Sequence, residues 1–329
     1  MSNHTPTGSE LIASVRKRPA MYVGGTDNLG TRQILFELIG NAIDQFLAGQ
    51  ASSVSVRFRG DAMEVSDDGP GLPPYSDDSD DVERWFFSFH DTATATGHAP
   101  HVHLVHHGCG LVVANALAQS LEVESVREGI RWQLRFERGI LQTKLRSDAG
   151  NAPSGCRYRV VVDSEIMKHA LPNRSDVRST LYESAHLFPG LRITFDDERF
   201  HAPGGLKDYI PTFARWPSIG NTFRLDAFCY NGTVEGVRIN AAAIGGGQAP
   251  ETQYWSWANG VRTPGNGDHQ TGFRQALQDA DWAPTAAMIH VIFDDPRFAG
   301  PTRDQLIAPH VCAVVREALR PQLEDYLGR

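Results

Sequence analysis

The 329-residue sequence has only four cysteines, Cys109, Cys156, Cys229 and Cys312, widely spaced and without a CxxC pair. That leaves no disulfide framework and no thiolate zinc site. It has no apolar run long enough to cross a bilayer, and its opening MSNHTPTGSE has neither the basic nor the apolar region of a signal peptide. No membrane partner is expected, and a cytoplasmic location is. Lysine is scarce: four of the 31 cationic residues are lysine, and the net charge of −8 gives no global footprint for nucleic acid. The remaining composition, 41% hydrophobic and 21% charged, is that of a globular chain, and its length exceeds what one core spans, so two domains are expected.

What is present is concentrated in QILFELIGNAIDQFLAG, Gln33 to Gly49. At 100° per residue, Ile34, Leu35, Leu38, Ile39, Ala42, Ile43, Phe46 and Leu47 share one side of a helix. Glu37, Asn41 and Asp44 stack at i, i+4, i+7 on the other, giving the helix a core side and a chemical side. On its own such an arc is most often a solvated face.

Residues 1–14 read as a polar, flexible arm, and VRKRP as an exposed basic turn before Gly24 and Gly25. After the helix, VSVRFRG and AMEVSDDG alternate with period two across a Gly60-Asp61 turn, with Val54, Val56 and Phe58 on one face and Met63 and Val65 likewise. This hairpin runs into Asp67-Asp68-Gly69-Pro70-Gly71-Leu72-Pro73. Alternate glycines let a backbone approach a flat ligand, and a carboxylate at a strand end can accept from an exocyclic amine, although a lone DxGxG is usually only a turn. Residues 74–107 have the length and polarity of a lid around a short central helix. They carry His90, His98, His101, His103, His106 and His107, which could share a cation although no carboxylate or cysteine pattern fixes a geometry. His107-Gly108-Cys109-Gly110 then opens the apolar helix LVVANALAQS, whose unpaired amides suit an anion. LEVESVREGIRWQLRFERGILQ, turning at Glu128-Gly129, and CRYRVVVDSE continue the sheet. The result is an α/β (α+β) sandwich with a mixed sheet.

Pro203, Gly204 and Gly205 mark a boundary near residue 203. Beyond it, strand-like FRLDAFCYNGTVEGVRIN and MIHVIFDDPRF surround the helix HQTGFRQALQDA, and a helix from about Pro309 to Tyr326 closes the chain.

Several motifs in order, VRKRPAMYVGG, FELIGNAIDQFLAG, VSDDGPGLP, HHGCGLVVANALAQ, RFHAPGGLKDYI, SWANGVRTPGNGDHQTGFRQAL and DPRFAGPTRDQL, give a chain that resembles the ATPase region of the gyrase B family of type IIA topoisomerases. With it comes the GHKL superfamily of chaperones, histidine kinases and mismatch-repair ATPases. The resemblance implies a GHKL ATP-binding domain over 1–203 and a smaller βαβ transducer-like domain over 204–329. It implies ATP and Mg²⁺ as cofactors and ATP-driven closure of a homodimer. Glu37 matches the carboxylate that activates water, Asn41 the Mg²⁺ ligand, and Asp67 the reader of the adenine amino group beside Gly69 and Gly71. Gly108 and Gly110 match the phosphate glycines, and Asp44, Pro73, Cys109 and Cys156 complete the nucleotide lining. His107 stands at a normally histidine position, and Arg303 takes the place of the lysine that reaches the γ-phosphate.

The departures are equally specific. Val105 replaces the first glycine of the GxxGxG loop, Pro70 an arginine, Gln45 a glutamate, Cys156 a threonine, and Pro301 a glutamine. They point to slow hydrolysis or altered lid closure. The chain ends at Arg329, where a topoisomerase continues into its cleavage domain, so a stand-alone or excised relative is expected, with Met1 and the altered lid favouring the former. DNA or a gyrase-related protein is the implied macromolecular partner. An ATP-using enzyme acting on a small molecule and a non-hydrolysing nucleotide switch are the alternatives.

Overall fold

The computed structural model describes residues 8–73, 81–88, 93–94, 97–98, 101–102, 104, 110–213, 227–245, 251–300 and 302–328. The chain divides into two compact units, Met1–Ala99 with His103–Leu181 and Leu191–Phe200, and Pro100–Val102 with Tyr182–Gly190 and His201–Arg329.

Up to Phe200 the elements are α1 (Gly8–Lys17), α2 (Ala20–Val23), α3 (Asn28–Leu47), β1 (Ser53–Arg59), β2 (Ala62–Asp67), β3 (Ala93–Thr94), β4 (Gly97–His98), α4 (Gly110–Leu117), β5 (Ala118–Arg127), β6 (Ile130–Glu137), β7 (Ile140–Asp148), β8 (Gly155–Val162), α5 (Arg174–Leu187), β9 (Arg192–Phe195) and β10 (Glu198–Phe200). Eight strands form one sheet in the order β10-β9-β1-β2-β8-β5-β6-β7, parallel only between β1 and β9. Alternation decides the faces. Val54, Val56, Met63, Val65, Val123, Leu134, Tyr158 and Val160 are buried on the helix side. The opposite face runs Arg57, Glu64, Arg159, Glu122, Arg135 straight across five strands in register, alternating in sign. Arg159 lies 3.5 Å from Glu64 and 3.8 Å from Glu122, so this face is neutralised locally rather than forming a basic patch.

Helix α3 begins earlier than the expected Gln33, because Asp27 caps it: its carboxylate accepts from the Leu29 N–H at 3.0 Å. It packs on β1, β2 and α4. Ile34, Leu35, Leu38, Ile39 and Ile43 are fully buried, and on the far side Gln33, Phe36 and Glu37 are buried as well. The chemical side is thus enclosed around Glu37 and opens only toward Asn41 and Asp44, which are half-buried.

The expected flexible arm is helical from residue 8, and of VRKRP only Lys17 and Arg18 are exposed, with Val15 to Lys17 ending α1 and the turn confined to Arg18-Pro19. Val15 is fully buried, and Arg16 donates to the Asp163 carboxylate at 2.6 Å and to the Ala116 carbonyl at 2.8 Å, tying α1 to the end of α4. The cause is tertiary: Ile12 and Val15 are the only buried residues of α1, so the helix is held by docking rather than by its own sequence. Residues 82–86 form a 3-10 turn with Val82 and Phe86 buried, Asn115 donating to the Phe86 carbonyl at 3.0 Å, and Lys144 2.7 Å from Glu83.

From His201 onward the elements are α6 (Leu206–Phe213), β11 (Phe228–Val234), β12 (Val237–Ile244), β13 (Gln253–Ala258), β14 (Val261–Arg262), α7 (Asp268–Asp279), β15 (Ala286–Ile292) and α8 (Pro309–Tyr326). Their sheet runs β11-β12-β15-β13-β14, and β13 is parallel to β15 with α7 between them in the chain, a βαβ crossover. Phe273, Leu277, Val311, Val315 and Leu319 of α7 and α8 form its core with Ile239, Ile289 and Val291. No helix among the described residues is long and apolar enough to cross a membrane.

Candidate functional site

Strand register assembles the site. Asp67 at the end of β2 faces Cys156 of β8, Cys156 faces Ser125 of β5, and Ser125 faces Trp132 of β6. Paired residues share a face, so carboxylate, thiol, hydroxyl and indole form one row on the core side of the sheet. Asp67 accepts from the Gly69 N–H at 2.9 Å. Burial pushes its carboxyl up to about 6, with Asp68 adding to the rise and the Gly69 and Cys156 N–H groups opposing it. Its neighbour does the reverse. Partial burial would raise Asp68, but bonds from Ser52 and from the Ser53 N–H hold it down at about 2. One aspartate is a strand-start clamp; the other is poised to titrate.

The turn after Asp67 is closed against the row. A side chain at Gly69 would meet the Asp67 carboxylate at 2.8 Å and Gln45 of α3 at 3.4 Å. Gly71 has φ +79°, and a side chain there would strike the Val126 carbonyl at 2.5 Å. Leu72 N–H donates to the Ser125 hydroxyl at 2.8 Å, and the Pro73 carbonyl accepts from the Trp85 indole at 2.9 Å. The Asp67–Pro73 turn therefore lies between the strand ends and the last turn of α3.

Cys156 is buried beside Asp67, and desolvation, with the Asp67 charge, raises its thiol far above the ordinary range. Two residues along β8 on the same face, Tyr158 is buried and its acidity is likewise suppressed by burial. Glu37 is buried on α3, with Asn41 one turn on and Asp44 after it. Gly110, with φ +68°, starts α4, which packs on α3. His107, Gly108 and Cys109 lie outside the described residues, as do His90, His103 and His106 of the histidine-rich stretch. Arg303 belongs to the second unit. It sits in a left-handed backbone conformation, φ 54°, with its guanidinium 5.6 Å from the centre of the Phe298 ring.

Ser125 and Tyr158 join this site without having been expected. The alternation of their strands was visible, but which strand neighbours which was not, and only the order β2-β8-β5 brings them to Asp67.

Residues 26–163, covering the α3–β2 segment, the glycine turn and β8, match the family model described as histidine kinase-, DNA gyrase B-, and HSP90-like ATPase. Over this segment the chain is similar to the ATPase domain of that family, and over nearly its whole length to gyrase B and topoisomerase IV B-subunits. It is 28% identical to the DNA topoisomerase 4 B-subunit of Bartonella bacilliformis over 97% of this chain and 52% of that protein. It is also 28% identical to the DNA gyrase B-subunit of Haloferax volcanii over 96% of this chain and 55% of that one. The chain thus spans about half the length of the curated relatives it matches. Among solved structures, the B-subunit of the DNA gyrase from Myxococcus xanthus superposes with a TM-score of 0.79 at 22% identity, covering 96% of this chain and 95% of that one. The 43K ATPase domain of Thermus thermophilus gyrase B, solved with an aminocoumarin, gives 0.74 at 27% identity, over 96% and 91%. The GHKL sandwich followed by a smaller, β-rich transducer-like region is shared with these neighbours.

Proposed function

We propose that this chain binds Mg²⁺-ATP at the Asp67 row and hydrolyses it, with nucleotide binding closing a homodimer. The observation that carries the reading is the half-buried Asp67 carboxylate, one oxygen on the Gly69 N–H, beside a turn that admits no side chain at Gly69 or Gly71. An ionised acceptor in a slot of this kind suits an exocyclic amine. Glu37 is the buried carboxylate of α3, and in this reading it orients a water and takes its proton. Asn41 offers a carboxamide oxygen, a ligand type that a hard cation takes when phosphates supply the rest. Asn41 is half-buried, which leaves its carboxamide reachable for such an ion. When bound, Mg²⁺-ATP supplies the phosphoanhydride and the charge neutralisation. In this reading Gly110 at the start of α4 serves the phosphate end, Pro73 and Cys156 the base end, with Asp44 one turn after Asn41 on α3.

The 1–203 region is the ATP-binding domain in this reading and 204–329 the transducer-like domain. DNA or a gyrase-related protein is the proposed macromolecular partner, with strand passage left to chains that carry cleavage machinery. The test is phosphate release by the purified chain with Mg²⁺-ATP, with and without DNA, alongside Glu37→Ala and Asp67→Asn. Turnover that persists undiminished in both variants would overturn the assignment. Sedimentation with a non-hydrolysable ATP analogue tests closure, and a monomer under saturating analogue would remove the dimer from the proposal.

A further inference from the structure

The segment that leaves β2 beyond Asp67 is attached to the fold at few points. Among the described residues, no backbone–backbone hydrogen bond reaches residues 69–73. Pro70 and Pro73 have no N–H to offer, and the Gly69 N–H is spent inside the segment, on the Asp67 carboxylate at 2.9 Å. Two links to the rest of the described residues remain. The Leu72 N–H donates to the Ser125 hydroxyl of β5 at 2.8 Å, and the Pro73 carbonyl accepts from the Trp85 indole at 2.9 Å. They differ in kind. The Trp85 bond is exposed, so water can take the place of the indole on the carbonyl. Ser125 is 1% exposed, and the segment lies directly on it: a side chain on Gly71 would come within 2.9 Å of the Ser125 oxygen and 2.5 Å of the Val126 carbonyl. Gly71, at φ +79° and without a side chain, lets the chain rest against β5 and carries the Leu72 N–H onto the hydroxyl. Water cannot replace that acceptor unless the segment lifts.

We infer that Ser125 is a positioning residue for the base end of the site: it holds the Gly69–Pro73 segment down on β5 and so fixes how that segment stands beside the Asp67 carboxylate. The positioning role rests on the nucleotide reading proposed above; the anchoring does not. Ser125 suits the task because it belongs to the same row as Asp67, two strands away through Cys156, so the segment is pinned to the face that carries the carboxylate. The consequence is selectivity. With the segment held, a ring bearing an amine gains a bond to Asp67, whereas a ring with a carbonyl in its place sets oxygen against the carboxylate. With the segment lifted, either ring can move off the carboxylate, and the difference between them shrinks.

The experiment uses the full chain and two readouts. Amide exchange at Leu72 is followed by NMR with isotope-labelled leucine, the signal being assigned by its loss in Leu72→Ile. ADP affinity is measured by calorimetry, and that of IDP, which carries a carbonyl where ADP has the amine, by displacement of ADP. Ser125→Ala, and Ser125→Cys, which keeps the shape but offers only a weak sulfur acceptor, are each expected to speed Leu72 exchange about tenfold or more. Both should weaken ADP about tenfold and IDP no more than about twofold, so that the preference for ADP falls. Trp85→Phe, which removes the exposed link, should leave Leu72 exchange within about threefold of wild type. Unchanged Leu72 exchange in both Ser125 variants overturns the anchoring, as does a Trp85→Phe effect as large as theirs. Parallel losses of ADP and IDP mark Ser125 as merely structural and overturn the positioning role. If wild-type chain binds neither nucleotide while Leu72 exchange still depends on Ser125, the nucleotide reading falls and takes the positioning role with it, and the anchor alone stands.

Discussion

The two units bury polar groups for opposite ends. In the second unit, His290 is enclosed in β15 with both ring nitrogens used, Nδ1 donating to the Leu187 carbonyl at 3.0 Å and Nε2 accepting from the Gly260 N–H at 3.1 Å. Burial pushes it down to about 4, and burial with the neighbouring His290 pushes His269 down to about 3, so both are neutral near physiological pH, with His290 the fully bonded one and His269 bonded through Nε2 to the Thr263 hydroxyl at 3.2 Å. In the first unit, Asp67 is pushed up to about 6 and has one oxygen turned to the Gly69 N–H, beside a turn closed to side chains at Gly69 and Gly71. A group whose valences are closed within the fold serves stability. A group whose burial is only partly offset costs stability and is kept where a ligand can complete it.

Mild acid should separate the units. The histidines have folded pKa values below the ordinary 6.5, so their contribution is complete above that value and is lost as pH falls toward about 4 and then 3. Asp67 has a folded value of about 6 against an ordinary 3.8, so it penalises the fold above pH about 6, and the penalty is relieved as pH falls between the two.

The largest effect expected is at Glu37: Glu37→Gln lowers ATP turnover at least ~100-fold while ADP affinity stays within about threefold, measured by phosphate release and calorimetry. His290→Ala comes next, with a loss of roughly 3 kcal/mol in urea unfolding from a cavity and two orphaned backbone groups, and no change in ADP affinity. A loss of ADP binding there would blur the division between the units. Asp67→Asn is expected to do the reverse, abolishing ADP binding while stabilising the chain by up to about 2–3 kcal/mol near neutral pH, since the neutral amide removes the penalty on the ion. If that variant is destabilised, Asp67 is structural and the comparison breaks. ADP affinity of the wild type should fall below pH about 6 as Asp67 protonates. The smallest effect is on the outer face of the sheet, where Arg159→Gln should change stability by no more than about 0.5 kcal/mol, because its pairs with Glu64 and Glu122 are solvent-screened.

Local sequence rules determined a good deal of this. The α3 apolar stripe, the β1–β2 hairpin with its Gly60 turn, the left-handed Glu128-Gly129 turn, and the closing helix at Pro309–Tyr326 follow from periodicity, turn chemistry and breakers, which act within a few residues. The gyrase B resemblance was carried by motifs that are themselves local, such as Asp67-Asp68-Gly69-Pro70-Gly71. The helical state of α1, the enclosure of Glu37, the strands β9 and β13, and the meeting of Asp67 with Cys156, Tyr158 and Ser125 were not legible. Each depends on which distant segment lies alongside, and a residue's own alternation fixes only its face. Strand order and register fix its neighbours, and these are settled when the whole core closes.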